Sequence, residues 1–366
     1  MSLRPRAEVK NLKTCYHGGS NLAELRDLGL TLEDVLDFSV SSNPFPPPPG
    51  VKKALNTAVI NRYPDPEATE LKERLSERIG VAPHNILAGN GSTELIRLIA
   101  LAYFKQGDPV IIIEPTFGEY ELACQIAGAR VVKQWAKAED DFVPRLDETI
   151  SLIKKHHPRG IFICNPSSPA GNYLSRQEVE AILDNAENSL LIMDEAFIAF
   201  VEEGWSSVDL IRGGNLIIIR SMTKDYSLAG LRLGYAIAHT GIIDNLHRVC
   251  PPWNVNAMAQ KAGIVALDAS EYLEQCKQKM ARAKQFLIDE LSQINFTVVP
   301  SKANFFMVKV GDAKQFRSGL LKQGIVVRDC TSFGLPEYIR VAPRTMSECR
   351  KFIASVKTLK REGKLG

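Results

Sequence analysis

The stretch Leu216-Ile-Ile-Ile-Arg-Ser-Met-Thr-Lys224 joins an apolar run to a polar segment that ends in lysine. Apolar runs without polar alternation are typical of a strand that is covered on both faces of a sheet. A lysine in the loop after such a strand is either one of many solvated loop lysines or a reactive amine. The residues around Lys224 favour the reactive amine.

Three polar residues close to Lys224 suggest what that amine would bind. Ser221 and Thr223 lie just before the lysine, and Arg232 follows eight positions later. Lysine forms imines with carbonyl compounds, and two hydroxyl groups beside a guanidinium would hold a phosphate. The segment therefore indicates a phosphorylated aldehyde cofactor bound to Lys224.

Short apolar runs alternate with amphipathic stretches through the middle of the chain. The runs that predict strands lie at 86–88, 109–113, 160–164, 190–193 and 216–219. The stretches that predict helices lie at 92–104, 117–127 and 175–186. Alternation of this kind predicts an α/β fold with a mainly parallel sheet.

We expect three parts in the chain. Residues 1–42 form an N-terminal arm that lies over the active site and packs with the small domain. Residues 43–250, which open with a stiff proline-rich connector, form a large cofactor-binding domain. Residues 251–366 form a smaller α+β domain. The small domain is predicted from helical patterns at 256–267 and 271–294 and from strand-like runs at 305–308, 324–327 and 338–341.

Composition excludes several classes of protein. The net charge of +3 over 366 residues is too weak to favour nucleic acid or a membrane surface. Seven cysteines, an odd number without a C-x-x-C pair, argue against a disulfide framework and against structural zinc. We expect a cytoplasmic protein with no metal, nucleic-acid or membrane partner.

Polar clusters follow each of the predicted strands. They lie at 89–93, 114–117, 165–171, 194–197 and 221–224. In open α/β sheets, ligands bind beyond the carboxyl ends of the strands. The five clusters therefore predict one site at that edge of the sheet.

Two of these clusters have a functional and a structural interpretation. Ser92 and Thr93 follow a glycine turn and would receive an anion at a helix N-terminus, or they cap that helix. Asp194 emerges from a buried strand, where a carboxylate needs a partner. A protonated pyridine nitrogen is one such partner, and capping of the next helix is the alternative.

Three further residues also have two interpretations. Asn165 would donate to a ring hydroxyl or serve as a turn residue. Phe117 would stack on a flat ring or fill the core. Arg340 lies in a strand-like run, where an arginine indicates an anion such as a substrate carboxylate.

The ordered set Asn165, Asp194, Lys224, Arg232 and Arg340 resembles the fold-type I, pyridoxal-phosphate-dependent aminotransferase family over nearly the whole chain. The resemblance implies a PLP-transferase large domain with a smaller α+β domain. It implies that Lys224 holds the cofactor aldehyde and later transfers a proton. It also implies a homodimer with shared active sites.

The same resemblance implies a role for each cofactor-binding residue. Asp194 pairs with the pyridine nitrogen, Asn165 holds the ring oxygen, and Phe117 stacks on the ring. Phe197 stands where aminotransferases usually have a tyrosine. The cofactor phosphate is bound by Gly91, Ser92, Thr93, Ser221, Thr223, Arg232 and, from the other subunit, Tyr63.

The chain is similar to the branch that contains histidinol-phosphate aminotransferase and threonine-phosphate decarboxylase, which both take phosphorylated amino compounds. Arg328 matches an arginine that binds the substrate phosphate. The other implied substrate residues are His17, Asn43 and Arg340.

Three features are similar to the decarboxylase: the opening His17-Gly-Gly, Phe197, and the segment 252–256. Ser20 and the pair at 167–168 depart from the pattern. We therefore expect decarboxylation of L-threonine O-3-phosphate to (R)-1-aminopropan-2-ol O-2-phosphate in cobalamin biosynthesis. The alternatives are transamination of histidinol phosphate with 2-oxoglutarate and, more remotely, a non-catalytic binding or regulatory module.

Overall fold

The computed structural model describes residues 3–10, 12 and 14–362. The ends of the predicted arm and small domain, at 1–2 and 363–366, and residues 11 and 13 lie outside the described residues. The helices are α1 (Ala7–Lys10), α2 (Leu22–Asp27), α3 (Val51–Asn56), α4 (Thr69–Ile79), α5 (Ser92–Tyr103), α6 (Glu119–Ile126), α7 (Leu146–His156), α8 (Arg176–Asn185), α9 (Thr240–Val249), α10 (Ala257–Leu267), α11 (Ser270–Gln293), α12 (Ala313–Leu321) and α13 (Met346–Arg361).

The strands form three sheets. They are β1 (Leu36–Asp37), β2 (Ile86–Gly89), β3 (Pro109–Glu114), β4 (Arg130–Trp135), β5 (Gly160–Cys164), β6 (Leu190–Asp194), β7 (Leu216–Ser221), β8 (Gly234–Ala238), β9 (Thr297–Val298), β10 (Phe306–Lys309), β11 (Ile325–Val326), β12 (Arg328–Asp329) and β13 (Tyr338–Val341).

The large sheet has seven strands in the order β2-β8-β7-β6-β5-β3-β4. Strand β8 is antiparallel to both of its neighbours, and the other pairs are parallel. This arrangement confirms the predicted α/β fold with a mainly parallel sheet. All five strands predicted from apolar runs are present.

Two strands of the large sheet were not predicted. Strand β4 lies at an edge and is largely exposed or half-buried, so it has no continuous apolar run. Strand β8 is fully buried but begins at Gly234, close behind the polar loop that carries Arg232.

Apolar side chains cover the large sheet on both faces. Helices α4, α7, α8 and α10 pack on one face, and helices α5, α6 and α9 pack on the other. Every residue of β5 and β6 is buried as a result. The sheet is therefore the middle of three layers, which explains its unbroken apolar runs.

The C-terminal part contains a four-stranded antiparallel sheet in the order β12-β13-β10-β9. Helices α11, α12 and α13 pack on it through a separate apolar core. The predicted strand at 324–327 contains β11, which pairs with β1 of the N-terminal segment and not with the four-stranded sheet. The division of the chain into three parts stays a prediction.

The register of the parallel strands brings polar residues to one edge. Cys164 at the end of β5 pairs with Asp194 at the end of β6, and Asp194 pairs with Ile219 of β7. Ser221 and Lys224 follow directly. Within the described residues, no helix is both long and apolar enough to cross a membrane.

Candidate active site

A cavity of about 850 Å³ opens at the carboxyl ends of the parallel strands. Residues of the N-terminal segment, the large sheet and the C-terminal sheet line it. Its basic side chains are His17, Lys224, Arg232, Arg328 and Arg340, whereas its acidic side chains are Glu121 and Asp194. The excess of basic groups favours anionic ligands.

Lys224 lies in the loop after β7, and its carbonyl accepts a hydrogen bond of 2.7 Å from the backbone N–H of Asn43. The Lys224 Nζ atom stands 5.8 Å from the centroid of the Phe197 ring. Burial, together with the charges of Arg340 and Arg232, lowers the pKa of Lys224 to about 8. About a tenth of the amine is therefore neutral and nucleophilic at pH 7, far more than for an ordinary lysine.

Asp194 is the last residue of β6 and is buried. The Tyr120 hydroxyl donates to its Oδ2 at 2.7 Å, and the Ala196 backbone N–H donates to its Oδ1 at 2.9 Å. Burial raises the pKa of the Asp194 carboxyl, and these two donors oppose that effect. The carboxylate lines the cavity and can accept a further donor there.

A turn between β2 and α5 forms one end of the cavity. Gly91 has a φ of +77°, and a Cβ atom at this position would lie 2.5 Å from Arg232 Nη2. A glycine is therefore required for the guanidinium to approach the N-terminus of α5. Ser92, Thr93, Thr223 and Arg232 line the cavity. Helix N–H groups, hydroxyls and a guanidinium together fit a phosphate.

Gly91 and Ser221 stand outside the cavity lining. Gly91 makes room for Arg232, as described above. The Ser221 and Thr223 hydroxyl oxygens are 2.7 Å apart. Ser221 therefore fixes the side chain of a residue that does face the cavity.

Arg340 is buried in β13. Its Nη1 donates to Ser168 Oγ at 2.8 Å and its Nη2 donates to the Ser39 carbonyl at 3.1 Å. Its Nε has no hydrogen-bond partner within the described part of the chain. Burial lowers the pKa of Arg340 to about 10. A buried guanidinium without a carboxylate needs an anion.

Arg328 is 2 % exposed, and its guanidinium carbon lies 4.6 Å from the Tyr16 ring centroid and 4.8 Å from that of Phe333. Its Nη2 donates to the Tyr16 carbonyl and to Ser332 Oγ, at 2.7 and 2.6 Å. Its Nη1 is without a partner among the residues described. This aromatic enclosure therefore presents a second desolvated cation to the cavity.

His17 is tied to the first turn of α6. Its Nε2 lies 3.1 Å from Glu119 Oε1, and Arg97 donates to Glu119 Oε2 at 2.6 Å. The His17 ring centroid lies 5.5 Å from that of Phe117. The bond to His17, and then the contact with Arg97, hold the pKa of Glu119 at about 2. A buried carboxylate thus orients His17 at the cavity.

Three further predicted residues, in addition to Gly91 and Ser221, lie outside the lining of this chain's cavity. Asn165 bonds through its side chain to the backbone of Leu174. Asn43 donates to the Asp225 carbonyl at 2.9 Å and so braces the Lys224 loop. Tyr63 is 77 % exposed and stacks on Trp253, with ring centroids 4.2 Å apart.

Other residues of the site were missed by sequence reasoning. They include Tyr16, Ser39, Glu119, Tyr120, Ser168 and Ser332. Tyr120 and Glu119 fall within the predicted helix at 117–127, where an aromatic residue indicates core and an acidic residue indicates the surface. Their contacts depend on distant parts of the chain.

The cavity fits pyridoxal phosphate. The cofactor has an aldehyde, a ring nitrogen and a phosphate. The cavity offers an amine with a lowered pKa at Lys224, a buried carboxylate at Asp194 and a phosphate-sized cradle beside Arg232. The donor set therefore matches each reactive part of the cofactor.

Residues 33–356 match the family model described as aminotransferase class I and II. Among the relatives is histidinol-phosphate aminotransferase 1 of Thiobacillus denitrificans, 34 % identical over 92 % of this chain and 89 % of the relative. Another is the histidinol-phosphate aminotransferase of Thermoanaerobacter pseudethanolicus, 37 % identical over 82 % of this chain and 84 % of the relative.

Solved structures show the same fold. Histidinol-phosphate aminotransferase from Sinorhizobium meliloti, in complex with pyridoxal-5'-phosphate, is 23 % identical with a TM-score of 0.89, covering 99 % of both chains. L-threonine-O-3-phosphate decarboxylase from Porphyromonas gingivalis is 26 % identical with a TM-score of 0.78, covering 88 % of this chain and 99 % of that one.

The expected decarboxylation of threonine phosphate is wrong. The sequence relatives above are histidinol-phosphate aminotransferases, whereas the decarboxylase is a more distant structural neighbour. The features that suggested decarboxylation, such as His17 and Phe197, surround the cavity but do not decide which bond breaks. That choice depends on substrate orientation, which small shifts of the anion-binding groups change.

The family match and the cavity lead to the same conclusion. The match spans most of the chain, and the cavity accounts for each reactive part of pyridoxal phosphate. The chain is a pyridoxal-phosphate-dependent enzyme that belongs to the aminotransferase class I and II family.

Proposed function

We propose that this enzyme transfers the amino group of histidinol phosphate to 2-oxoglutarate. The observation that carries the proposal is the enclosure of Arg328, a buried guanidinium that lines the cavity in addition to Arg340 and whose Nη1 has no hydrogen-bond partner among the described residues. A phosphorylated amine needs a cation beyond those that hold the cofactor. A dicarboxylic acceptor needs two cations, and the same two arginines supply them.

The cofactor-binding roles are part of the proposal. Lys224 holds the aldehyde, Asp194 pairs with the ring nitrogen, and Phe117 and Phe197 flank the ring. Asn165 keeps one amide N–H for the ring oxygen. The phosphate is bound by Ser92, Thr93, Thr223 and Arg232, with Gly91 and Ser221 behind them and Tyr63 from the other subunit.

The chemistry is divided between the cofactor and the chain. When bound, pyridoxal phosphate withdraws electrons from the bonds of the substrate's α-carbon. Once the substrate amine has displaced it from the aldehyde, Lys224 Nζ, whose pKa of about 8 permits both protonation states, would take the proton from that carbon and deliver it two atoms away, to the former aldehyde carbon. Arg328 and Arg340 orient the substrate, and His17 lines the cavity with them. Asn43 acts from behind, by bracing the loop that carries Lys224.

We test this function by measuring amine transfer to 2-oxoglutarate from histidinol phosphate and from unphosphorylated histidinol. We expect a kcat/KM at least about tenfold higher for the phosphate ester, because a charge-assisted contact to a buried arginine contributes about 1.5–3 kcal/mol. Equal use of the two donors would refute the proposal. Release of carbon dioxide from threonine phosphate is expected to be absent.

The variant Arg328→Ala tests the substrate-phosphate site. Its KM for histidinol phosphate should rise at least tenfold, or by about 1.4 kcal/mol in binding, while its KM for histidinol changes little. Arg145→Ala is the control, because Arg145 is exposed and pairs with Asp140 at the surface. A similar rise in KM for both donors would show that Arg328 does not bind the substrate phosphate.

We also propose that the enzyme is a homodimer of the cytosol. Tyr63 supports the dimer. The family resemblance assigns this tyrosine to the cofactor phosphate, yet it is exposed and lies outside the cavity of its own chain. Ile60, 77 % exposed, and Trp253 extend the apolar surface around it. The seven cysteines are unpaired, which is typical of a reducing compartment.

A further inference from the structure

Tyr120 is a buried tyrosine for which the proposed function has no role. It lies in the first turn of α6 and is 0 % exposed to solvent, yet it borders the cavity. Its hydroxyl donates to Asp194 Oδ2 at 2.7 Å. A buried hydroxyl needs a partner, and here that partner is the carboxylate at the end of β6.

Packing fixes the Tyr120 ring and therefore its hydroxyl. The ring is stacked on Phe162, with centroids 4.9 Å apart and planes inclined by 11°. The edge of Phe117 meets it at 5.7 Å and 80°. These two ring contacts and the complete burial of the side chain favour the orientation in which the hydroxyl meets the carboxylate. Asp194, at the end of strand β6, is then held by a group on helix α6.

The contact with Tyr120 leaves acceptor positions on the Asp194 carboxylate for a ligand. A carboxylate offers about four acceptor positions. The Tyr120 hydroxyl takes one on Oδ2, and the Ala196 backbone N–H takes one on Oδ1. The remaining positions are available to a donor in the cavity. Both bonds also favour the charged form of a carboxylate that burial disfavours.

We propose that Tyr120 is a positioning residue, which holds the Asp194 carboxylate in the orientation and charge state that bind the ring nitrogen of pyridoxal phosphate. The inference rests on the proposed function, in which Asp194 pairs with that nitrogen. Tyr120 itself acts through Asp194.

The test uses cofactor-free Tyr120→Phe, which removes the hydroxyl and keeps the ring. Two ligands are titrated: pyridoxal phosphate, and an analogue whose ring nitrogen is replaced by C–H. We expect the Kd of pyridoxal phosphate to rise about tenfold and that of the analogue to change less than about twofold, because the lost bond acts on the nitrogen alone. Tyr173→Phe is the control, since its hydroxyl donates to the Trp205 carbonyl instead.

Asp194→Asn and the double variant separate the possible failures. If Asp194→Asn weakens pyridoxal phosphate selectively but Tyr120→Phe does not, the inference is overturned and the proposed function stands. If Asp194→Asn weakens both ligands equally, the nitrogen contact itself is wrong. If the losses in binding free energy of the two single variants do not add up in the double variant, Tyr120 acts through Asp194. If they do add up, the inference is overturned.

The absorption spectrum of the loaded enzyme gives a second readout. Ring protonation changes the apparent pKa of the bound chromophore, so Tyr120→Phe should shift that pKa in the same direction as Asp194→Asn. A residue that only stabilises the core would lower the melting temperature and leave the chromophore pKa unchanged. That result would overturn the inference.

Discussion

At the scale of single residues, Lys224 shows how the fold creates reactivity. The same side chain in water is almost fully charged at neutral pH. In the cavity, burial and two nearby guanidiniums lower its pKa to about 8, although Asp194 opposes the change. Because lysine is a base, a lowered pKa means that the neutral amine persists to lower pH.

The pH dependence of labelling tests this shift. In cofactor-free protein at pH 8, about half of Lys224 should be neutral, compared with roughly 0.4 % of an ordinary lysine. Reductive methylation by formaldehyde, followed by mass spectrometry of peptides, should therefore show Lys224 reacting with an apparent pKa near 8. Lys105 in an exposed loop is the control. An apparent pKa near 10.5 would contradict the structure.

Gly91 is the second residue whose identity is fixed by its surroundings. Its φ of +77° and ψ of 166° lie in a region that is nearly restricted to glycine, and its missing Cβ makes room for Arg232. Gly91→Ala should lower the free energy of unfolding by about 1–3 kcal/mol. It should also weaken the affinity for the cofactor phosphate, measured by titration with pyridoxal phosphate.

The matched control is Gly107→Ala. Gly107 also has a positive φ, +84°, but a Cβ there has no neighbour within 4 Å. This variant should lose stability from backbone strain while its cofactor affinity stays unchanged. Equal affinities in the two variants would show that the space beside Arg232 is not needed.

At the scale of elements, the segment from Phe117 into the first turn of α6 connects three parts of the molecule. Phe117 borders the cavity, Glu119 binds His17 of the N-terminal segment, and Tyr120 binds Asp194 of the central sheet. One helical turn thus couples the strand that carries Asp194 to the N-terminal segment that lines the cavity.

Glu119→Gln tests the contact with the N-terminal segment. The pKa of Glu119 is about 2, below its ordinary value, so its charge is present throughout pH 5–9 and is lost only as the pH falls toward 2. Removal of the charge should speed amide hydrogen exchange in residues 14–18 several-fold at pH 7, with little change in melting temperature. Glu139→Gln, which breaks a surface pair with Lys137, is the control. Unchanged exchange would show that the ion pairs do not hold this segment.

At the scale of the whole molecule, the proposed dimer predicts an assembly of about 81 kDa, twice the 40.5 kDa of one chain. Light scattering measures this mass directly. A mass of one chain in the active enzyme would contradict a site shared between subunits.

Complementation tests whether Tyr63 acts across subunits. Tyr63→Ala and Lys224→Ala should each have little activity. After the two variants are unfolded, mixed in equal amounts and refolded, half of the dimers are mixed and one site in each has both residues. About one quarter of the wild-type activity should then return. If the mixed variants recover no activity while refolded wild type recovers normally, Tyr63 does not contribute to the partner's site.

The sequence by itself determined five strands of the large sheet and the cofactor. Unbroken apolar runs identify strands that are buried on both faces, because only such strands dispense with polar alternation. The family pattern at Asp194, Lys224 and Arg232 identified pyridoxal phosphate, because each reactive part of the cofactor requires a particular side chain. Strand β4 escaped prediction since an edge strand has no such run.

The tertiary structure alone decided how the site is supported. It brings Tyr120 to Asp194, Tyr16 to Arg328 and Glu119 to His17, across separations of 74 to 312 residues. It also pairs β11 with β1 rather than with the neighbouring sheet. Such contacts carry no local signal, because they depend on which elements pack together. Their energies, and the substrate orientation they impose, arise only once the chain has folded.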